Sequence, residues 1–419
     1  MQAFTHPLLG DTLYYGRHKS GLSIYVWPRP NARSTYAVFA TRYGSVHNML
    51  PTADGGVETV PEGIAHYLEH KLFESEEGDA FTRYAATGAS ANAYTGFHRT
   101  AYLFQATENV TDALDILLDF VQHPYFTEET VQKEQGIIGQ EIRMCEDDPG
   151  RMLLFNMLRG LYHNHPVQIE IAGTVPSIAR ITPELLYRCY ERYYNLHNMM
   201  LVVSGPMAPE MVWDAADRLL KPAADWQPMD YDWQEPPHVR EHELEAVMPV
   251  AAPLFYIGFK EPAPESTPKD AAGATLLLEL LAGKSSPLYA RLLEEGLIND
   301  QFAAEYFSGP GFGVWLFGGE SADPRRVKEL LVEEITRQQR DGIDQSAFEA
   351  VRRGAYGRLV AELEEPANCA ELLLDDLTDG LPPLSRLEAL ASITPAELEE
   401  QLRRRLAAGE HTLSVVRPE

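Results

Sequence analysis

Short apolar or alternating runs and longer amphipathic segments follow one another along the chain, and they predict a mixture of strands and helices. Strands are indicated where β-branched and aromatic residues form short runs bounded by Gly or Pro. In the first half these runs lie at 22–27, 35–40, 90–95, 100–106 and 199–204. Helices are indicated by an apolar period of about 3.6 residues and by capping residues at their ends. In the first half they lie at 62–73, 80–87, 108–121, 128–147, 151–162, 183–193 and 208–219.

The second half repeats this order of elements. Its predicted strands lie at 253–259, 301–307, 312–318 and 412–416, and its predicted helices at 269–282, 286–295, 324–339, 345–364, 367–379, 384–390 and 394–406. The shared order predicts an internal duplication of about 200 residues, although the halves have almost no residue identity. The Pro-, Trp- and Asp-rich segment near 221–238 predicts a linker. We therefore expect two α+β domains, 1–225 and 241–419, joined by residues 226–240.

Composition narrows the class of protein. The chain has 419 residues, of which 45% are hydrophobic, as expected for a globular protein of two domains. Because no apolar run approaches the roughly 18 residues of a membrane span and the N-terminus does not resemble a signal peptide, we expect no membrane partner and a cytoplasmic location. The three cysteines, Cys145, Cys189 and Cys369, are too scattered for a disulfide framework or a thiolate metal site.

The net charge of −27 disfavours a nucleic-acid partner, because phosphate contacts need a basic surface. Acidic residues around a binding surface would attract basic peptides. High solubility is the simpler explanation of the same charge.

The helix at 62–73 carries the residues on which the functional prediction depends. His66 and His70 are one turn apart on the same face, and Glu69 lies beside them. Two imidazoles at this spacing can bind one Zn²⁺ and leave a position open for water, which Glu69 could deprotonate. The pattern H-x-x-E-H is the inverted form of the commoner H-E-x-x-H zinc helix. The competing interpretation is a helix with two incidental histidines.

A third protein ligand is available on the helix at 128–147. Glu134 and Glu141 are seven residues apart on this helix, so both carboxylates can point in one direction. Glu141 is the better candidate for the ligand, and Glu134 would then orient a ligand from behind. Without the histidine motif, a helix with several glutamates would simply be a solvated helix.

Three segments, 63–73, 88–95 and 140–149, resemble the pitrilysin/insulysin family of zinc peptidases in order and spacing. This family of inverzincins includes the mitochondrial processing peptidase and half-length bacterial members. The resemblance covers most of residues 10–220 and continues more weakly to the end. It implies an α+β fold of the processing-peptidase type: two similar domains, each a mostly antiparallel mixed sheet covered by helices.

The resemblance also implies where a substrate would bind and what would happen to it. Asn92, Ala93 and Tyr94 match a sheet-edge strand beside the metal, with which a peptide pairs as an added strand. Considered without the resemblance, they form an ordinary strand after a turn. The implied activity is zinc-dependent endopeptidase cleavage of unfolded peptides, in which a zinc-bound water that Glu69 activates attacks the scissile carbonyl.

The second half departs from the family pattern, and this bears on partners. Family members usually carry a substrate-binding Arg and Tyr in a segment that resembles 288–300. Here Asn299 stands where Tyr is expected, and Arg291 is one residue out of register. Because half-length relatives pair, we expect the metal-bearing subunit of a heterodimer with a related subunit, or a homodimer. The alternative is a non-catalytic scaffold or chamber partner, but such members usually lose the H-x-x-E-H residues.

Overall fold

The structure is a computed structural model, and it describes residues 1–52, 55–76, 78–262, 264 and 266–419. The chain folds as two units that exchange segments. The first comprises Met1–Ile142, Glu170–Asp230 and Ala361–Thr378, and the second comprises Arg143–Ile169, Tyr231–Val360 and Asp379–Glu419. Residues 143–169, from the first half of the chain, thus belong to the second unit, and residues 361–378, from the second half, belong to the first unit. The domain boundaries at 225 and 241 stay a prediction.

Strands and helices are interspersed along both units and are numbered in chain order. The strands are β1 (Gln2–Thr5), β2 (Thr12–Arg17), β3 (Ser23–Pro28), β4 (Thr35–Thr41), β5 (Met49–Pro51), β6 (Val57–Thr59), β7 (Glu74–Ser75), β8 (Gly78–Asp79), β9 (Ser90–Thr95), β10 (Thr100–Ala106), β11 (Met199–Gly205), β12 (Glu243–Val247), β13 (Leu254–Lys260), β14 (Ala303–Gly309), β15 (Phe312–Glu320) and β16 (His411–Arg417). The helices are α1 (Ile64–Leu72), α2 (Ala80–Thr87), α3 (Val110–Phe120), α4 (Glu128–Glu146), α5 (Pro149–Leu161), α6 (Val175–Ile178), α7 (Pro183–Tyr193), α8 (Pro209–Leu219), α9 (Pro268–Ala282), α10 (Pro287–Glu294), α11 (Pro324–Asp341), α12 (Gln345–Glu362), α13 (Pro366–Thr378), α14 (Ser385–Ser392) and α15 (Pro395–Arg405).

Each unit contains one large sheet, and the two sheets share a topology. The first sheet has the order β1-β2-β3-β11-β4-β10-β9, and the second has the order β12-β16-β13-β15-β14. In both, one neighbouring pair is parallel, β3 with β11 and β12 with β16, and the other pairs are antiparallel. The last five strands of the first sheet therefore correspond one by one to the five strands of the second. This confirms the prediction of two similar α+β domains with mostly antiparallel sheets.

The first sheet is covered by helices that reach it from different parts of the chain. Alternate residues of β4, such as Ala37 and Phe39, face a core that also contains Tyr67 and Leu68 of α1. Helix α13 contacts β4 and β11, and Tyr36 of β4 donates a hydrogen bond to the carboxylate of Glu371 on this helix at 2.6 Å. A helix from the far end of the chain thus completes the first unit.

In the second unit, helix α5 packs on strands β12, β13 and β16. The loop that follows it holds His165, which is fully buried. Nδ1 of His165 accepts a hydrogen bond from the Val167 N–H at 3.1 Å, so Nε2 carries the proton and donates to the Pro310 carbonyl at 2.9 Å. Burial lowers the pKa of His165 to about 4. Its neutral form is therefore part of the folded structure.

The prediction that the first strand begins near residue 22 is wrong, because β1 and β2 precede it. Strand β12 also lies where no strand was predicted. These strands are largely exposed or half-buried and belong to the outer part of their sheets, so they lack the apolar runs on which the prediction relied. Among the described residues, no helix combines the length and the apolar content needed to cross a membrane.

Candidate metal centre

Helix α1 is set deeply into the first unit, which fixes the side chains of the histidine motif. All of its residues except His70 are buried. The helix begins after Gly63, whose φ of 90° is in the left-handed region that favours glycine. A Cβ at this position would lie 2.3 Å from the carbonyl oxygen of Ala172, so a larger residue cannot fit without moving the backbone. The start of α1 is thus fixed by close packing of Gly63 against the backbone of Ala172.

Helix α4 lies against α1 and supplies the predicted carboxylates. Tyr67 of α1 donates a hydrogen bond to the carbonyl of Val131 on α4. One ligand atom from each of His66, His70 and Glu141 lies within 4.8 Å of the others. The structure therefore brings together the three residues that the sequence analysis assigned to the metal.

The distances within this cluster fit a zinc site. Nε2 of His66 is 3.5 Å from Oε1 of Glu141, and Nε2 of His70 is 3.6 Å from Oε2. Ligand atoms around a tetrahedral Zn²⁺ with bonds of about 2.0–2.1 Å are separated by about 3.3 Å. Two imidazole nitrogens and one carboxylate oxygen are also one of the donor sets of catalytic zinc sites, which keep one position open. The residues present thus fit the ion.

Glu134 lies behind His70 rather than among the three ligands. Its Oε1 accepts a hydrogen bond from Nδ1 of His70 at 2.9 Å. Burial alone would lower the pKa of His70, but the bond to Glu134 and the nearby charges of Glu69 and Glu141 raise it. Burial likewise opposes the charge of Glu134, but its bond with His70 lowers the pKa of the carboxyl group. This contact directs Nε2 of His70 toward Glu141.

Glu69 is held by Thr95, which the sequence places at the end of the predicted substrate strand without connecting it to Glu69. Glu69 is 9% exposed, and its Oε2 accepts a hydrogen bond from the hydroxyl of Thr95 at 2.6 Å. Thr95 is the last residue of β9. No spacing rule connects the two residues, because strand β9 and helix α1 meet only through the tertiary fold. The sequence signal was limited to the position of Thr95 directly after the predicted substrate residues.

The predicted substrate residues lie on β9, which forms one end of the seven-stranded sheet. β10 is the strand partner of β9 within the described part of the chain. Asn92 is exposed and its side chain accepts a hydrogen bond from the N–H of Ala93 at 2.9 Å. The side chain of Tyr94 donates to Oε2 of Glu371 at 2.8 Å. Among the described residues β9 is therefore an edge strand, and Tyr94 anchors it to α13.

The two residues of the second half that depart from the family pattern both have local partners. Nε of Arg291, on α10, donates to Oε1 of Glu295 at 2.7 Å. The side chain of Asn299 accepts a hydrogen bond from the N–H of Gln301 at 3.0 Å.

The chain belongs to the M16 family of peptidases, to which pitrilysin and insulysin belong. The profile described as "Insulinase (Peptidase family M16)" matches residues 58–175, which contain all the residues of the candidate metal centre. The profile described as "Peptidase M16 inactive domain" matches residues 180–355.

Similar proteins support this membership along the full chain. The uncharacterized zinc protease YmfH of Bacillus subtilis is 38% identical over 418 residues, which cover 98% of this chain and 97% of that protein. The crystal structure of an M16-like peptidase from Alicyclobacillus acidocaldarius matches with a TM-score of 0.92 at 35% identity and covers 98% of this chain and 99% of the other. Pitrilysin shares the fold, with a TM-score of 0.75 at 17% identity, and this chain corresponds to 46% of its length.

Proposed function

We propose that this protein is a zinc-dependent endopeptidase that hydrolyses unfolded peptides. The observation that carries the proposal is the convergence of Nε2 of His66 and Nε2 of His70 on the carboxylate of Glu141, at 3.5 and 3.6 Å. The zinc protease name of the similar Bacillus protein agrees with this choice of metal and activity.

In this proposal each residue of the site has one task. His66, His70 and Glu141 hold the ion, and Glu134 keeps the proton of His70 on Nδ1, which leaves Nε2 free to bind. The ion would supply Lewis-acid chemistry, since it lowers the pKa of water and polarises a carbonyl. Glu69 accepts the proton that the attacking water loses and transfers it to the leaving amine.

The edge position of β9 supports an extended peptide as the substrate. A peptide that pairs with β9 would form main-chain hydrogen bonds, which do not depend on the identity of its side chains. Such binding requires an unpaired segment, so a folded protein would be a poor substrate. Residues Asn92, Ala93 and Tyr94 would line this pairing edge.

We further propose that the protein works as a dimer, either with a related subunit or with a second copy. The chain corresponds to 46% of pitrilysin, so a pair would match the length of the longer protein. A related subunit is the favoured partner, because Asn299 stands where the family pattern has Tyr and Arg291 is paired with Glu295. The mass of the protein alone, and after co-expression with a related subunit, distinguishes these assemblies.

The variant Glu69→Gln tests the proposed activity. It keeps the size and hydrogen bonding of the side chain but removes the base, so cleavage of a quenched fluorescent peptide should fall by about 10² or more while zinc content stays near one ion per chain. Glu129→Gln, on the exposed first turn of α4, is the matched control and should cleave at the wild-type rate. Undiminished cleavage by Glu69→Gln would contradict the role of Glu69. A wild-type protein that binds no zinc and cleaves no peptide would favour the non-catalytic scaffold.

A further inference from the structure

The hydroxyl of Thr95 makes a short contact with the carboxylate that the proposed reaction uses as its base. The distance from Oγ1 of Thr95 to Oε2 of Glu69 is 2.6 Å. Hydrogen bonds between a hydroxyl and an ionised carboxylate lie at about 2.5–2.7 Å and are roughly twice as strong as neutral ones. An ionised carboxylate can only accept, so Thr95 is the donor.

The surrounding contacts direct the single proton of Thr95 toward Glu69. A second hydroxyl in reach is that of Thr100, whose Oγ1 lies 3.4 Å from Oγ1 of Thr95. Thr100 is fully buried, and its own proton is donated to the carbonyl of Tyr43 at 2.8 Å. The carboxylate oxygen of Glu69 thus lies nearer to Oγ1 of Thr95 than the hydroxyl of Thr100 does, by 0.8 Å, the difference between 3.4 and 2.6 Å.

We propose that Thr95 is a positioning residue, which holds the Glu69 carboxylate through Oε2 and leaves Oε1 to exchange the proton with water and the leaving amine. The inference rests on the proposed peptidase function. In this proposal, strand β9 contacts both the peptide substrate and the base. The backbone of β9 would align the peptide, and the last side chain of the same strand would fix the base.

Two substitutions separate the hydroxyl from the rest of the side chain. Thr95→Val keeps the shape and the β-branch but removes the donor, and Thr95→Ser keeps the donor but removes the methyl group. We expect Thr95→Val to lower kcat by about tenfold to a hundredfold, with KM within about twofold of the wild type. Thr95→Ser should retain most of the wild-type kcat. Zinc content and melting temperature are measured for each variant, so that loss of metal or of folding is visible.

Thr12→Val is the matched control, because Thr12 lies on β2 of the same sheet and its hydroxyl contacts Thr5 rather than the site. Wild-type kcat is expected for this control. An unchanged kcat in Thr95→Val would overturn the inference. A rise in KM at constant kcat would also overturn it, because Thr95 would then act on the peptide. An equal loss of kcat in Thr95→Ser would overturn it as well, because the methyl group would then be the cause.

A double variant separates this inference from the proposed function. In the Glu69→Gln background, Thr95→Val should cause no further loss of kcat, and the shifts in melting temperature of the two substitutions should be non-additive. If the wild-type protein cleaves peptides but the two substitutions lower kcat additively, the role of Thr95 is overturned and the proposed function is not. If the shifts in melting temperature are non-additive but the wild-type protein cleaves no peptide, the proposed function is overturned. The catalytic role of the Thr95 hydroxyl is then overturned with it.

Discussion

Replacement of Glu134 tests how the candidate metal centre is pre-organised. The Glu134 side chain is 13% exposed and accepts the Nδ1–H of His70 at 2.9 Å, so it fixes both the ring orientation and the nitrogen that stays free. Loss of such an orienting partner costs about tenfold to a hundredfold in metal affinity, or roughly 1.4–2.7 kcal/mol. Glu134→Gln keeps an acceptor oxygen but loses the charge, which accounts for about half of the bond strength. We therefore expect about tenfold weaker zinc binding for Glu134→Gln and about a hundredfold for Glu134→Ala.

The measurement is competition for zinc between the apo protein and a chromophoric chelator of known affinity. Glu129→Ala on the exposed first turn of the same helix is the control and should bind zinc as the wild type does. Wild-type affinity in both Glu134 variants would refute the orienting role. A loss of more than about a thousandfold in Glu134→Gln would show instead that Glu134 is itself a ligand, since an indirect partner cannot cost so much.

Three further predictions concern other parts of the chain. Because His165 has a pKa of about 4 when folded and its ordinary value of 6.5 when unfolded, its contribution to stability is complete above pH 6.5 and lost as the pH falls toward 4. The loss amounts to about 3 kcal/mol, and urea unfolding at several pH values should show a weaker acid dependence in His165→Gln. Glu371→Ala should raise KM for peptides severalfold and lower the unfolding free energy by about 2 kcal/mol, because the hydroxyls of Tyr36 and Tyr94 lose their acceptor. The exposed Glu364→Ala is its control, and unchanged KM and stability would contradict the anchoring role. Gly63→Ala should lower both melting temperature and zinc content, whereas Gly136→Ala in α4, where no atom lies within 4 Å of an added Cβ, should be neutral or stabilising. Wild-type zinc content in Gly63→Ala would show that α1 tolerates the displacement.

Elements with a strong local pattern could be predicted from the sequence. Strands β9 and β10 have the predicted bounds, and helices α1 and α4 lie within two residues of theirs. Periodicity and capping residues are local properties, so they locate an element without knowledge of its neighbours. The proximity of His66, His70 and Glu141 could be anticipated because the two histidines are four residues apart on one helix and a second helix offered the carboxylate.

Contacts between distant parts of the chain could not be predicted in this way. The bond between Thr95 and Glu69 spans 26 positions, and the bond between Tyr94 and Glu371 spans 277. Neither residue pair has a spacing that a helix or strand imposes. The sequence does not predict strands β1, β2 and β12, because their exposed side chains are mostly polar. Backbone hydrogen bonds hold these strands in their sheets, and such bonds leave no apolar pattern in the sequence.

Helix α13 lies late in the chain but belongs to the first unit, and this determines when that unit can be completed during synthesis. The ribosome must translate residue 378 before the first unit has all its parts, although most of that unit has emerged by residue 230. Until then β4 and β11 lack the helix that contacts them, and Tyr36 and Tyr94 have no carboxylate to bind. A fragment cut at the predicted linker would carry all seven strands of this sheet and the three candidate metal ligands but would lack α13, so the first unit stays incomplete until nearly the whole chain has been synthesised.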